Sequence, residues 1–121
     1  MKRIVFARTL VRKEKLTPED VDVIVKSCKK GIFTKIKGES LPSDSSLIKI
    51  YTTTIKGAQR IVILLDEESK VGHFLLFRNK NDIVGKNISI KNPVFKKLLQ
   101  KYLILWDSDM ESDNFDIIDL R

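Results

Sequence analysis

The stretch from Gln59 to Lys80, QRIVILLDEESKVGHFLLFRNK, constrains the fold more than any other part of the chain. Two strongly apolar, β-rich runs flank the polar turn DEESK, a pattern that predicts an antiparallel hairpin. Basic residues mark its outer ends, with Arg60 where the first strand begins and Arg78 and Lys80 where the second finishes. In an antiparallel pair the start of one strand lies beside the end of the next. Arg60, Arg78 and Lys80 are therefore expected to gather at the open end of the hairpin.

The remaining segments supply partners for that hairpin. KRIVFA (residues 2–7) reads as a first strand, and TLVRKEK as no more than a small helix. A longer helix follows, with Thr17 as N-cap, Pro18 at its first position and Asp20 placed to close a capping box. Val21, Ile24, Val25 and Cys28 give it one apolar face, and Gly31 supplies the stop. Between Gly31 and Ser46 the pattern is broken: IFTKIKGES reads as either a short strand or a loop, and LPSDSS as loop chemistry. LIKIYTTTI (47–55) alternates as a strand, KGAQ turns it into the hairpin, and NDIVGKNISIKN forms a polar loop. Asn92 and Pro93 open a last helix whose apolar stripe runs Phe95, Leu98, Leu99, Tyr102, Leu103, Trp106. The fold class expected is α+β, an antiparallel sheet of about four strands. It would consist of an N-terminal strand and a three-stranded meander, with two N-terminal helices and a C-terminal helix packed on one face. The other face would be left for a ligand. A body of residues 1–105 would be followed by an acidic tail, 106–121.

The net charge of +7 hides a division between these two parts. The body carries 22 Lys/Arg against 10 Asp/Glu, and the tail carries 1 against 6. A body so basic favours polyanionic partners, nucleic acid first among them. The tail reads either as a frayed terminus or as a strip that docks on the basic face. The single cysteine, Cys28, leaves no disulfide framework and suits a reducing, cytoplasmic compartment. No apolar run reaches membrane-span length, and the basic N-terminus lacks a signal-peptide core. Metal-ligand spacing, a phosphate-binding glycine loop and a Ser–His–Asp pattern are absent. His73 is the only histidine; by alternation it sits with Val71, Leu75 and Phe77, opposite Arg78, and reads as a packed residue rather than a base. Cys28 reads as a small core residue.

Several short pieces, in order, resemble the RelE/ParE toxin superfamily, and within it the RelE-type mRNA interferases. FAR at Phe6–Arg8 with RKEKLTPEDV is similar to the family's opening. LIKIYTTTIKGAQRIVILL resembles its strand, basic glycine loop and arginine-bearing strand. FLLFRNKNDIVGKNIS resembles its FVYGFAKNE…DNI ending, and KNPVFKKLLQKYL stands where a C-terminal helix is expected. The resemblance implies a small toxin that cleaves mRNA on the ribosome without metal or cofactor. Its partner would be a neutralising antitoxin, often one with a helix-turn-helix domain. It places catalytic roles on Arg60, Lys49 and Lys80, and RNA contacts on Lys56, Gly57 and Lys86; hairpin geometry adds Arg78 to the catalytic set. The chain departs from the family pattern in the shortened loop KGAQ, in Gln59 where an aromatic is usual, and in extra residues between Asp82 and Lys86.

Such a site has a physical logic. RNA cleavage needs a base for the 2′-hydroxyl, charge stabilisation at phosphorus and a proton for the leaving 5′ oxygen. Guanidinium forks match phosphate oxygens, and a lysine crowded by like charges gives up its proton more readily. Lys49, Lys56 and Lys80 are all candidates for the base. Strand-end cations are also common simply as solvated guards against edge pairing. Two other activities fit the same pattern, a ParE-like gyrase inhibitor and a module that binds RNA or protein without catalysis.

Overall fold

The computed structural model describes residues 1–121. In chain order the elements are β1 (Arg3–Ala7), α1 (Arg8–Lys13), α2 (Pro18–Lys30), β2 (Thr34–Ile36), β3 (Ser45–Thr54), β4 (Gly57–Asp66), β5 (Val71–Asn79), α3 (Pro93–Glu111) and β6 (Phe115–Asp119). They form an α+β fold around one sheet in the order β2-β3-β4-β5-β1-β6. No helix is long and apolar enough to cross a membrane.

The meander β3–β4–β5 forms as expected, with Arg60 directly opposite Arg78. The strand count does not: there are six strands, and the sheet is mixed because β1 runs parallel to β5. β2 is only three residues long in a lysine-bearing segment, too short to leave an alternation. β6 interleaves acids with apolar residues, so its composition hides a strand that pairs with all of β1.

The expectation of one covered face and one free face also fails. Ile61, Val62, Ile63, Leu64 and Leu65 are consecutive, and each is at most 5% exposed. Successive strand residues point to opposite faces, so both faces of β4 are covered. The unbroken apolar run is the signature of such a doubly buried strand. Each of these side chains contributes roughly 1.5–3 kcal/mol relative to exposure.

Local signals place the helices. Thr17 and Asp20 close the capping box of α2 through bonds of 3.1 and 3.0 Å, and Gly31 ends the helix at φ 70°. Asn92 caps α3 by accepting from the Val94 N–H, with Pro93 following. α3 continues through residue 106 to Glu111.

The N-terminus of α1 has no cap of its own, since Ala7 offers no side-chain acceptor. Asp109, 5% exposed near the end of α3, supplies it instead. Its carboxylate accepts from the Thr9 N–H and hydroxyl, both at 2.8 Å, and from Asn114 at 3.1 Å. An acid near the C-terminus of its own helix is unfavourable, but at the N-terminus of α1 it is favourable. Burial pushes the Asp109 pKa up, yet the Thr9 and Asn114 bonds and nearby Arg12 outweigh it and leave it low. The acidic segment thus completes the body: Asp109 caps α1, and β6 pairs with β1, where Arg8 meets Asp116 at 3.0 Å. β6 lies three strand positions from β4, roughly 14 Å away in the sheet. It therefore does not lie on Lys49 or Arg60, and docking of the tail on that basic face is ruled out.

Asp109→Ala should lower the unfolding free energy by about 2 kcal/mol, because it leaves the Thr9 N–H unpaired and out of water. A urea midpoint that does not move would show that α1 is held by other contacts.

Candidate nucleic-acid interface

Cross-strand partners share a face of the sheet. The register therefore puts Arg60, its partners Tyr51 and Arg78, and Lys49 (opposite Val62) on one side. The two arginines nonetheless have different surroundings.

Arg78 is occupied. Its Nε and Nη2 donate to Glu14 at 2.9 and 2.7 Å, and its Nη1 donates to Asp82 at 3.2 Å. The Glu14 side chain is fully buried, and its carboxylate also accepts from the Phe77 N–H at 2.9 Å and the Tyr102 hydroxyl at 2.7 Å. The Glu14 bonds push the Arg78 pKa up, and burial with the Glu14 charge pushes the Tyr102 hydroxyl up to about 12. Arg78, expected in the catalytic set, is thus neutralised internally by two carboxylates and adds no free charge to a ligand site.

Arg60 forms no ion pair. One Nη donates to the Gln59 carbonyl at 3.1 Å, and the guanidinium lies 4.2 Å from the centre of the Tyr51 ring. The Lys49 ammonium sits 5.0 Å from the same ring. These residues border a cleft of about 450 Å³. β2 ends at the level of Lys49, so beyond it β3 has no outer neighbour. The cleft opens along that bare edge, closed on its far side by Ser27 and Lys30 of α2 and by Ile32, Phe33 and Thr34. Thr52 and Thr53 add hydroxyls, and no Asp or Glu lines it. The result is a concave surface with three unpaired cations, two aromatic rings and several hydroxyls.

The other expected site residues lie around this cleft rather than in it. Lys56 is exposed in the two-residue turn between β3 and β4, and Gly57 follows at φ 102°, a conformation that favours glycine. Lys80 is exposed just past β5, with its N–H on the Ala58 carbonyl at 3.0 Å; Asn79 binds the Lys56 carbonyl at 3.3 Å. Lys56, Gly57 and Lys80 therefore cluster at one end of the meander. Lys86 is exposed on a loop folded by Asp82, which accepts from the Val84 and Gly85 N–H groups and from Arg78. This loop is where the extra residues fall. Gln59 is 6% exposed and alternates away from Arg60, so position 59 faces the interior.

His73 was expected opposite Arg78 and is instead on its face. Val62 pairs with Leu76 and Ile63 with Phe74, leaving Leu75 as a bulge that inverts the alternation. The imidazole packs edge-on against Trp106 of α3, 5.1 Å between ring centres. Burial pushes its pKa below 6.5, only partly offset by Asp66. Cys28 is buried and its thiol is pushed up to about 12, as suits an inert core residue. No group of three or more His, Cys, Asp or Glu is arranged to hold a metal.

No protein-family model matches this chain, and neither a curated protein nor a solved structure does. The site must therefore be read from its own chemistry. Sequence reasoning missed Tyr51, Lys30, Phe33 and Glu14. The alternation of LIKIYTTTI did hold a signal for Tyr51, since it puts Tyr51 beside Lys49 and opposite Ile48 and Ile50.

Two measurements test these assignments. Glu14→Ala leaves the Phe77 N–H and the Tyr102 hydroxyl without their acceptor and Arg78 held by Asp82 alone, and should cost about 3 kcal/mol. Arg60→Ala should cost under about 1 kcal/mol, the scale of an exposed cation–π contact. Comparable urea midpoints for the two variants would contradict the contrast. His73 folds with a depressed pKa, so its contribution is complete above about 6.5 and lost as pH falls through the folded value. Asp66, Asp82, Asp109, Asp116 and Asp119 all lie below 3.8 and so titrate lower still. The urea midpoint should therefore drop between about pH 7 and pH 5, and His73→Phe should flatten that drop. An unchanged slope in the variant would remove the imidazole from the account.

Proposed function

We propose that this chain is a RelE-type toxin of a toxin–antitoxin pair, an endoribonuclease that binds mRNA at the Tyr51 cleft in the cytoplasm, on the ribosome. An antitoxin with a helix-turn-helix domain would restrain it. The observation that carries this reading is the acid-free cleft in which Arg60, Lys49 and Lys30 stand without ion-pair partners. Three unpaired cations in one concavity suit a phosphodiester, and the basic body would draw RNA towards it. Elsewhere Arg8, Lys35, Lys70, Arg78, Lys96 and Arg121 are paired with carboxylates, and lysines such as Lys56, Lys80 and Lys86 also stand free. What sets the cleft apart is that three free cations share one acid-free concavity.

In this reading the 2′-oxygen attacks phosphorus and its proton passes to a base. The P–O5′ bond breaks, and the departing oxygen takes up a proton. The products are a 2′,3′-cyclic phosphate and a 5′-hydroxyl. Arg60 would hold the phosphorane oxygens through its planar fork. Of the three candidate lysines, Lys49 alone shares the cleft with Arg60, and it is the amine assigned to the 2′-hydroxyl proton. Lys56, Lys80 and Lys86 would hold flanking phosphates.

A second reading, binding without cleavage, has an observation in its favour. Arg78 is held by Glu14 and Asp82, and neither a carboxylate nor an imidazole lines the cleft.

Expression of the wild type and of Lys49→Ala/Arg60→Ala in bacteria, with mapping of mRNA 5′ ends, separates the readings. New ends inside translated codons with the wild type alone are expected. RNA binding without new ends would establish the non-catalytic reading. Arrest with DNA damage and intact mRNA would turn the assignment to gyrase.

A further inference from the structure

The Asp82–Lys86 loop and the first half of α3 border a second concavity, of about 700 Å³, that shares no lining residue with the Tyr51 cleft. α3 turns Phe95, Leu99 and Tyr102 into the core and leaves Val94, Lys97 and Lys101 outside. Val94 is 41% exposed and Ile83 of the loop 58%, and with Val84 and Leu98 they give the concavity apolar walls. Scattered apolar residues need no explanation, but several lining one groove mark a binding surface. The loop wall is fixed, because Val84 is buried and Asp82 accepts from the Val84 and Gly85 N–H groups at 2.8 and 3.2 Å. This loop is also where the chain carries extra residues relative to the toxin pattern, so the groove is a feature of this chain. Three charged residues border it, all basic. Arg78 is neutralised by Glu14 and Asp82, whereas no ion pair of the molecule involves Lys97 or Lys101.

We propose that this groove docks an acidic amphipathic helix of a protein partner and leaves the Tyr51 cleft open. The inference stands apart from the RNA reading and survives its failure. Lys97 and Lys101 lie one helical turn apart on the same face, so acids spaced at a turn along a docked helix meet both. Apolar residues at the same period fill the space between Ile83, Val94 and Leu98. The loop is already ordered, which lowers the cost of docking. Other occupants fit less well. A nucleic acid finds few polar partners on aliphatic walls. A second copy of this chain would bring a net charge of +7 to a basic rim. A bilayer surface is planar, and these apolar side chains line a concavity.

The test uses a fluorescently labelled synthetic peptide of about five helical turns, with leucines along one face and glutamates along its borders. Anisotropy with the full chain is the readout. The peptide should bind the wild type, and versions with lysine for glutamate or serine for leucine should bind at least about tenfold more weakly. Ile83→Asp should lose at least about tenfold, because it replaces an aliphatic anchor with a charge that repels the glutamates. Val94→Asp repeats the test from the opposite wall. Lys97→Glu/Lys101→Glu should lose about tenfold at low salt and less at high salt. All four positions are exposed, and an unchanged urea midpoint shows that each variant is folded. Lys26→Glu/Lys29→Glu makes the same charge change on the exposed side of α2 and should stay within about twofold of the wild type. Lys49→Ala/Arg60→Ala should also retain the peptide. Equal losses in the groove and α2 variants overturn the assignment, and so does wild-type affinity in Ile83→Asp and Val94→Asp. Loss of the peptide in Lys49→Ala/Arg60→Ala would move it to the cleft and overturn the assignment as well. A wild type that does not bind the acidic peptide removes the proposal and leaves the RNA reading untouched.

Discussion

The buried carboxylate of Glu14 ties together elements that come from three regions of the chain. It follows α1, accepts from the backbone of β5 at Phe77, pairs with Arg78 and receives the Tyr102 hydroxyl from α3. β1 pairs with β5 only as far as His73, so the outer edge of β5 beyond it lacks a strand. Glu14 satisfies one of those edge donors. A buried charge is tolerated only when paired and fully hydrogen-bonded, and here four donors from three groups meet that demand. The carboxylate ties the end of α1 to β5 and to the middle of α3. Asp109 does the complementary task at the other end of α1.

This constraint divides the two arginines of the hairpin's open end. Arg60 and Arg78 are cross-strand partners on one face, yet Arg78 belongs to the interior network and Arg60 to the surface. Register alone treats them as equivalent; the position of an acid some sixty residues earlier separates them. What is left free is Arg60 with Lys49 and Tyr51 on the outer part of the sheet, where β2 stops short and the end of α2 closes a cleft. The functional candidate is therefore the β3 edge rather than the β4–β5 seam.

Local interactions were legible in the sequence, and long-range ones were not. The capping box of Thr17 and Asp20, the Asn92–Pro93 start and the Arg60–Arg78 register each depend on neighbours or on a hairpin turn. The bulge at Leu75 leaves no trace in an apolar run, yet it moves His73 to the other face. Glu14 and Asp109 look like ordinary surface acids until contacts 63 and 100 residues away bury them. Of the expected site residues, Lys49 and Arg60 come together, Lys56, Gly57 and Lys80 form a neighbouring cluster, and Lys86 stands on the loop beyond. Position 59, where the family pattern carries its aromatic, is turned inward by the strand alternation, and Tyr51 on the neighbouring strand is the ring that stands beside Arg60.

The segregation of charge acquires a spatial meaning once β6 is an edge strand. Asp113, Asp116 and Asp119 lie along the β1–β6 side, whereas Lys30, Lys49, Lys56 and Arg60 lie along the β2–β3–β4 side. Charge on that flank is nevertheless close to balanced, because Arg8 pairs with Asp116, Arg121 with Asp119, and Arg3 stands opposite Asp119. Charged side chains along an edge strand discourage pairing with other sheet edges. The same short segment that completes the sheet and caps α1 therefore also guards the edge it forms, so stability and protection are supplied by one stretch of chain.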